Sequence, residues 1–352
     1  MIEDFGFSIC STQTGCRSVL EIKRSAVERN VRELYRFTGK KIIAVVKSDA
    51  YGMGVRFVVP LLKELPEIDS FAVASAEEGV LLREMGVRGE ILVLGGILPE
   101  ELQAIKDYRL TPVVSDPEHL KVLGRENVNF HVKYDTGMGR LGFVGETVED
   151  PRVTGVMSHL STPADREFSL KQIEEFRRIA TLYGRGVKVH LESSAGLVYR
   201  VPYATHVRVG LALYGEKPLR DYPVPLSPAV SVKARVISVK EIPPGHPVSY
   251  GRTYTAPRRM RIGVVAFGYA DGLMKSLSNR GFLLYGEARL PIIGNITMDM
   301  TVVDLGDVSV KVGDWVVIVD EGRTFGDLAR LAGTIPYEIM CNISGRVKRE
   351  II

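Results

Sequence analysis

Apolar residues along this chain follow two rhythms that take turns. One is a short, unbroken apolar run, as in Ile42-Ile43-Ala44-Val45-Val46; the other is helical spacing, as over 76–85 and 169–176. An unbroken run rich in β-branched residues is what a strand buried on both faces requires. Eight such strands are predicted, at 41–47, 70–75, 90–95, 110–115, 129–135, 153–160, 187–193 and 205–210. Strands alternating with helices predict parallel pairing through right-handed crossovers. Eight units in roughly 220 residues predict a (β/α)8 barrel of the TIM type, an α/β fold. A doubly wound sheet is the competitor, but no Gly-x-Gly-x-x-Gly opens a helix after a strand.

The rhythm changes at Pro223-Val224-Pro225-Leu226-Ser227-Pro228. Beyond it helical periodicity largely disappears, and runs such as 229–239 and 315–319 stand as strands between Gly/Pro turns. The chain is therefore divided into a barrel domain at 1–225 and a smaller, mainly β domain at 226–352, with one helix near 326–333. A length of 352 residues suits two such domains. With 45% hydrophobic residues, 25% charged residues and a net charge of +4, the composition is ordinary for a soluble globular protein. No run of Lys/Arg supports nucleic-acid binding, while a small anionic ligand is compatible. The acidic start Met1-Ile2-Glu3-Asp4-Phe5-Gly6 lacks a signal-peptide core, and no stretch has the ~18–20 apolar residues of a membrane span. Cys10, Cys16 and Cys341 form no metal-like cluster with histidines. That usage predicts a cytoplasmic protein with free thiols and no metal, a Cys10–Cys16 bridge being the alternative.

In a barrel, chemistry collects at the carboxyl ends of the strands. Unusual residues fall there repeatedly: Lys47 after the first strand, Lys133 and Asp135 at the fifth, His159 at the sixth, Ser193 and Ser194 at the seventh, Arg208 and Gly210 on the eighth. An ordinary strand-terminal lysine reaches to water. One held near a low-dielectric core loses hydration, which lowers its pKa and makes its amine a nucleophile. Tyr51, four residues after Lys47, shares its side if a helical turn follows the strand, and its hydroxyl then donates to a phosphate oxygen. Ser194-Ala195-Gly196 reads either as a plain helix N-cap or as hydroxyl and N–H donors for an anion. Gly210 and Leu211 add backbone donors after the eighth strand, where barrels often hold phosphate. Taken singly, Arg208 reads as well as a structural ion pair, His159 as a hydrogen-bonded strand-end histidine, and Tyr269 as a turn aromatic.

These same segments resemble the alanine racemases, and the resemblance runs from residue 18 to 350. It is carried by Val46-Lys47 with Ala50-Tyr51-Gly52 and Gly54, and by Lys133-Tyr134-Asp135-Thr136-Gly137-Met138-Gly139-Arg140-Leu141-Gly142. Ser158-His159-Leu160, Ser194-Ala195, Val207-Arg208 with Gly210 and Tyr214-Gly215, Gly268-Tyr269-Ala270-Asp271-Gly272 and Met298-Asp299 complete it. The resemblance implies a homodimer that uses pyridoxal 5′-phosphate to interconvert L- and D-alanine in the cytoplasm, supplying D-alanine for peptidoglycan. It makes Lys47 the cofactor-binding lysine and base on the D-isomer face, and Tyr269 of the partner chain the base on the L-isomer face. Tyr51, Arg140, His159, Ser194, Arg208, Gly210 and Leu211 are implied to hold the cofactor, and Arg140 with the Met298 N–H the substrate carboxylate. Arg208 faces the pyridine nitrogen in that family; a guanidinium only donates, so the nitrogen stays unprotonated and the ring is a weaker electron sink. Lys133 stands where many members carry a carbamylated lysine that orients the arginine at 140; an ion pair with Asp135 is the alternative.

The chain also departs from the family pattern. Ser193 replaces an asparagine, Ser161-Thr162-Pro163-Ala164-Asp165 shifts a loop motif by one residue, and Gly345 stands where some members carry a phosphate-contacting tyrosine. With Asn295, the changes at 193 and 345 leave room for side chains larger than that of alanine. Two further readings differ in class. A decarboxylase of related fold calls for an acidic residue at 208, and a non-catalytic pyridoxal-phosphate carrier has no need of Tyr269 or a second domain.

Overall fold

The computed structural model describes residues 15–352. The acidic start and Cys10 lie outside the described residues. Nine strands lead the chain: β1 Ser18–Ile22, β2 Lys41–Val45, β3 Ile68–Val73, β4 Glu90–Val93, β5 Thr111–Val114, β6 Phe130–Lys133, β7 Val153–Met157, β8 Lys188–His190 and β9 His206–Val209. The eight from β2 to β9 pair in one parallel sheet whose path begins at β8 and ends at β9. A bridge between Ser193 and Arg208 draws those two ends together, so the sheet is a nearly closed barrel. The predicted (β/α)8 architecture holds. The strand sites agree with expectation; most strands end one to three residues early, because the chemistry-bearing residues sit on the loops that follow.

Burial accounts for the apolar runs. Ile42, Ile43 and Ala44, like Ile91, Leu92 and Val93, are wholly enclosed, with the barrel interior on one face and the helical ring on the other. Three strands break the run at alternate positions. His131 and Lys133 on β6, Lys188 and His190 on β8, and His206 and Arg208 on β9 each share a face, and by the period-two rule that face is the barrel interior. The interior is therefore partly a column of polar side chains. Gly155 on β7 makes room for it: a Cβ there would lie 2.3 Å from the His131 ring.

The second domain is mainly β, built around Val230–Ile242, which pairs with Met260–Val265 and Trp315–Val319. Its sheet also recruits β1, antiparallel to Val230–Ile242 and parallel to Lys348–Ile351. The first described strand thus belongs to the second sheet, which ties the head of the chain to its tail. A helix at Phe325–Ala332, close to the predicted one, is capped by Thr324 and by the buried Glu216 carboxylate, which accepts from the Phe325 and Gly326 N–H groups at 2.8 and 3.1 Å. Cys341 is a free thiol. Cys16 is disulfide-bonded, which corrects the expectation of free thiols throughout. Among the described residues no helix is long and apolar enough to cross a membrane, and no cluster of ligating side chains suits a metal ion.

Candidate active site

Lys47 opens the turn that leaves β2, and the turn is of the wrong hand for an ordinary helix. Ser48, Asp49, Ala50 and Tyr51 have φ of 54°, 53°, 56° and 61°. Left-handed helical residues other than glycine cost ~1–2 kcal/mol each, so four in succession need external support. That support is visible. The Glu78 carboxylate accepts from Ser48 N at 2.6 Å and from Ala74 N at 2.7 Å, and Asp49 accepts from Val55 N at 2.7 Å. Tyr214 donates to the Ala50 carbonyl at 2.9 Å, and Arg349, from the last strand, donates to the Gly52 carbonyl at 2.8 Å. The turn carries Lys47 and Tyr51 to one cavity by a left-handed path.

That cavity, of about 410 Å³, lies at the carboxyl ends of the barrel strands. Of the predicted site residues, Lys47, Tyr51, Lys133, Arg140, His159, Ser194, Arg208 and Gly210 line it. Leu211 follows directly and is buried, and its N–H donates to no protein acceptor among the described residues. Tyr269 and Met298 are not in the lining. Both stand out from the second domain, 46% and 53% exposed. Gly345 does not reach the cavity either, whereas Tyr337, absent from every motif, does.

Arg208 is buried and heavily tethered. Nη1 donates to the His190 carbonyl at 2.7 Å and to His190 Nδ1 at 2.9 Å. Nη2 donates to the carbonyls of Ser158 and Leu191 at 2.8 and 3.0 Å and to His159 Nδ1 at 3.2 Å. Its Nε–H is the one donor without a protein partner among the described residues. Burial pushes the guanidinium down to about 10, which leaves it protonated at neutral pH. Because arginine only donates, His190 must accept at Nδ1 and carry its proton on Nε2. That proton points to His131 Nδ1, 2.8 Å away, and His131 Nε2 stands 3.3 Å from Glu90. Lys188 closes the column below, paired with Glu90 and Asp69.

Lys133 is buried, and its ammonium is pushed down to about 8, first by loss of hydration and then by Arg208 and Arg140. It makes no ion pair with Asp135. That carboxylate instead accepts from the N–H groups of Gly137, Met138 and Arg140 at 2.8, 2.6 and 3.0 Å, shaping the loop that presents Arg140. Ser194 Oγ accepts from the Gly210 and Ala212 N–H groups, both at 3.3 Å, which leaves its own proton to donate elsewhere. The plain N-cap reading of Ser194 fails, because it caps no helix. Gly210 is required by contact: a Cβ there would lie 2.2 Å from Tyr51 Oη. On the second domain, the Tyr269 and Ala270 N–H groups bond to the carbonyls of Thr297 and Met298 at 3.0 Å each, and Arg346 bridges Asp271 and Asp299. The two predicted loops are therefore tied to each other.

Desolvation, then Arg208, Lys133, Arg140 and Lys47, hold His159 down to about 3. His190 and His131 are likewise lowered by burial. A histidine neutral in the fold but free to protonate when unfolded supports stability above the unfolded pKa of ~6.5, and that support is lost as pH falls. For His159 the window runs from ~6.5 down to about 3, at up to ~1.4 kcal/mol per pH unit. Urea unfolding is expected to show a lower midpoint at pH 5 than at pH 7; an unchanged midpoint would contradict the neutral histidine.

Residues 22–218 match the family model for the alanine racemase N-terminal domain, and residues 229–351 that for the C-terminal domain. The alanine racemase of Aquifex pyrophilus is 62% identical over 336 residues, covering 96% of this chain and 98% of its own length. That of Aquifex aeolicus (strain VF5) is 59% identical, covering 96% and 99%. Among solved structures, alanine racemase from Bartonella henselae with covalently bound pyridoxal phosphate superposes with a TM-score of 0.86 at 28% identity, covering 96% of this chain and 100% of its own. The biosynthetic alanine racemase from Pseudomonas aeruginosa gives 0.88 at 31%, with the same coverage. A barrel with a lysine at its rim, a β domain that presents a tyrosine, and relatives matching both halves leave one conclusion: the chain belongs to the alanine racemases, a family of isomerases.

Proposed function

We propose that this chain racemises alanine with pyridoxal 5′-phosphate held in the barrel cavity, using Lys47 and the Tyr269 of a second copy as bases on opposite faces of the substrate. The observation that carries the reading is the charge of the cavity. Lys47, Lys133, Arg140 and Arg208 surround it, and among the described residues no carboxylate lines it. An anionic cofactor together with an amino-acid carboxylate supplies the missing negative charge.

The residues present fit that cofactor. The Ser194 hydroxyl, the Leu211 N–H and the Tyr51 hydroxyl are donors without acceptors of their own near Gly210, suited to a phosphate. The unused Arg208 Nε–H suits a ring nitrogen that only accepts. When bound, pyridoxal phosphate would supply an electron sink that acidifies the substrate Cα–H. The chain's residues do the rest. Arg140 orients the substrate carboxylate together with the Met298 N–H; Lys47 holds or removes the Cα proton on the D-isomer face; Tyr269 does so on the other. His159, with Nδ1 occupied by Arg208, carries its proton on Nε2 and can donate to a phenolate oxygen. Its contribution is a hydrogen bond, and the stabilising positive charge comes from Arg208 and Arg140. A decarboxylase reading loses ground because Arg208 faces the cavity with no acidic partner there.

The homodimer is part of the proposal. Tyr250, Tyr269, Met298 and Met300 are exposed on loops joined by hydrogen bonds, since Asn295 donates to the Tyr250 carbonyl at 2.8 Å. Exposed apolar side chains gathered in this way favour an interface. A cytoplasmic enzyme supplying D-alanine for peptidoglycan, with alanine preferred over bulkier amino acids, completes the reading. Its test is chiral chromatography of L-alanine incubated with the cofactor-loaded protein. Convergence on equal amounts of the two isomers is expected; alanine that stays L would contradict it.

Lys133 is proposed to be carbamylated. With its amine at about 8, a substantial neutral fraction exists near neutral pH to add CO2, releasing one proton. The product anion would sit between Arg140 and Arg208 and remove the repulsion that lowers the free amine. A carbamate resonance is expected in 13C NMR after equilibration with labelled bicarbonate, growing as pH rises through 8 and absent in Lys133→Gln; a wild-type spectrum without it would contradict carbamylation.

A further inference from the structure

Arg208 and Lys188 stand at opposite ends of the polar column inside the barrel, and both can only donate hydrogen bonds. Between them lie two imidazoles and one carboxylate. From the cavity downward, Arg208 Nη1 meets His190 Nδ1 at 2.9 Å, and His190 Nε2 meets His131 Nδ1 at 2.8 Å. His131 Nε2 then stands 3.3 Å from Glu90 Oε1, while Glu90 Oε2 accepts from Lys188 at 2.9 Å. His131 Nε2 is buried and meets no other partner among the described residues. Glu90 opens β4, whose far end leads to Leu94 and Gly95 in the cavity wall, so it acts from a strand's length away.

A neutral imidazole donates at one nitrogen and accepts at the other, so two in a row pass the hydrogen-bond direction along unchanged. A row of neutral imidazoles with a cation at each end therefore contains one junction where two donors face each other. Glu90 removes that fault, because its two oxygens accept from both sides. Against its own burial, His131 and Lys188 hold Glu90 below the ordinary carboxylate range, which keeps it an acceptor. Lys188 is also anchored independently, its ammonium lying 2.5 Å from Asp69. Without Glu90 that ammonium would remain beside the column and face His131 Nε2.

We propose that Glu90 is a positioning residue for Arg208: by accepting from both His131 and Lys188, it fixes the proton order that leaves His190 Nδ1 free to accept from the guanidinium. Its link to turnover rests on the reading of Arg208 as the partner of the cofactor ring; the proton order does not. Loss of the carboxylate forces two donors together. The contact is relieved when both imidazoles move their protons to Nδ1, so that Lys188 donates to His131 and Arg208 loses its bond to the His190 ring.

The order is read first in cofactor-free, full-length protein carrying 15N-labelled histidine, where protonated and bare ring nitrogens resonate far apart. Only six histidines need to be assigned. Wild type is expected to show His131 and His190 protonated on Nε2 alone; a proton on Nδ1 of either would overturn the proposal before any variant is made. Glu90→Leu is expected to move both protons to Nδ1. Adding Lys188→Leu, which removes the opposing donor, is expected to return both to Nε2. After loading with pyridoxal phosphate, Glu90→Leu is expected to lose about tenfold in kcat, the scale of one hydrogen bond to a charged group, with KM within about twofold. The double variant is expected to regain most of that loss. A merely structural role for Glu90 predicts the opposite ranking, since the double variant lacks the whole ion pair. Unmoved protons in Glu90→Leu, protons that move with turnover unchanged, or a double variant no better than the single one would each overturn the proposal. The wild-type spectrum and the double variant decide it even where Glu90→Leu fails to fold. A wild-type protein that gains no racemase activity on loading would instead overturn the functional reading, with the proton order still judged by the spectrum.

Discussion

Lys47→Ala is expected to lose racemisation in both directions, by ~10³-fold or more, together with stable cofactor retention. Two roles meet in this side chain. Its amine is the attachment point offered by the cavity, and it is the base on the D-isomer face. Nothing nearby can substitute. On the proposed reading the amine of Lys133 is taken up as a carbamate, and Arg140 and Arg208 stay protonated. The left-handed turn makes the effect sharper, because Ser48 to Tyr51 are held by Glu78, Asp49, Tyr214 and Arg349 whether or not the amine is present. The variant should therefore fold and fail chemically. Anaerobic absorbance spectra with added pyridoxal phosphate, read beside the alanine isomer ratio, check this. A Lys47→Ala protein that still equilibrates alanine at a rate near wild type would remove the lysine from the mechanism.

Tyr269→Phe is expected to separate binding from turnover. The tyrosine is outside its own chain's cavity and 46% exposed, so its loss should leave cofactor affinity unchanged while racemisation falls by ~10²–10⁴, the usual worth of one acid–base group. Exchange of the Cα hydrogen in D2O sharpens the point. D-Alanine, whose proton faces Lys47, should still exchange with solvent without inverting, and L-alanine should scarcely exchange. Equal exchange from both isomers would contradict the assignment of one base to each face.

The barrel was legible because parallel strands are buried on both faces, and eight strand-like segments, most of them apolar runs, alternate with segments of helical spacing. β1 was missed for the opposite reason. Ser18-Val19-Leu20-Glu21-Ile22 alternates only briefly, and its partners lie beyond residue 229 and near the C-terminus, a pairing no local pattern signals. The left-handed turn after Lys47 was illegible as well, since Lys47-Ser48-Asp49-Ala50-Tyr51 is locally an ordinary helical start and only distant residues impose the other hand. The polar column did leave a mark in the sequence: His131 and Lys133, Lys188 and His190, and His206 and Arg208 all recur at a spacing of two in strands otherwise apolar. Tyr337 left none, because a tyrosine behind a helix-starting proline looks like core until the cavity is seen.

A shared active site makes its own measurement. In a two-fold dimer, a chain lacking Lys47 and a chain lacking Tyr269 together rebuild one intact site of two, because each supplies what the other lost. Lys47→Ala and Tyr269→Phe proteins, each nearly inactive, should on co-refolding in equal amounts recover about a quarter of wild-type activity per chain, given random pairing. A mixture no more active than its components would show that Lys47 and Tyr269 do not meet across a subunit boundary.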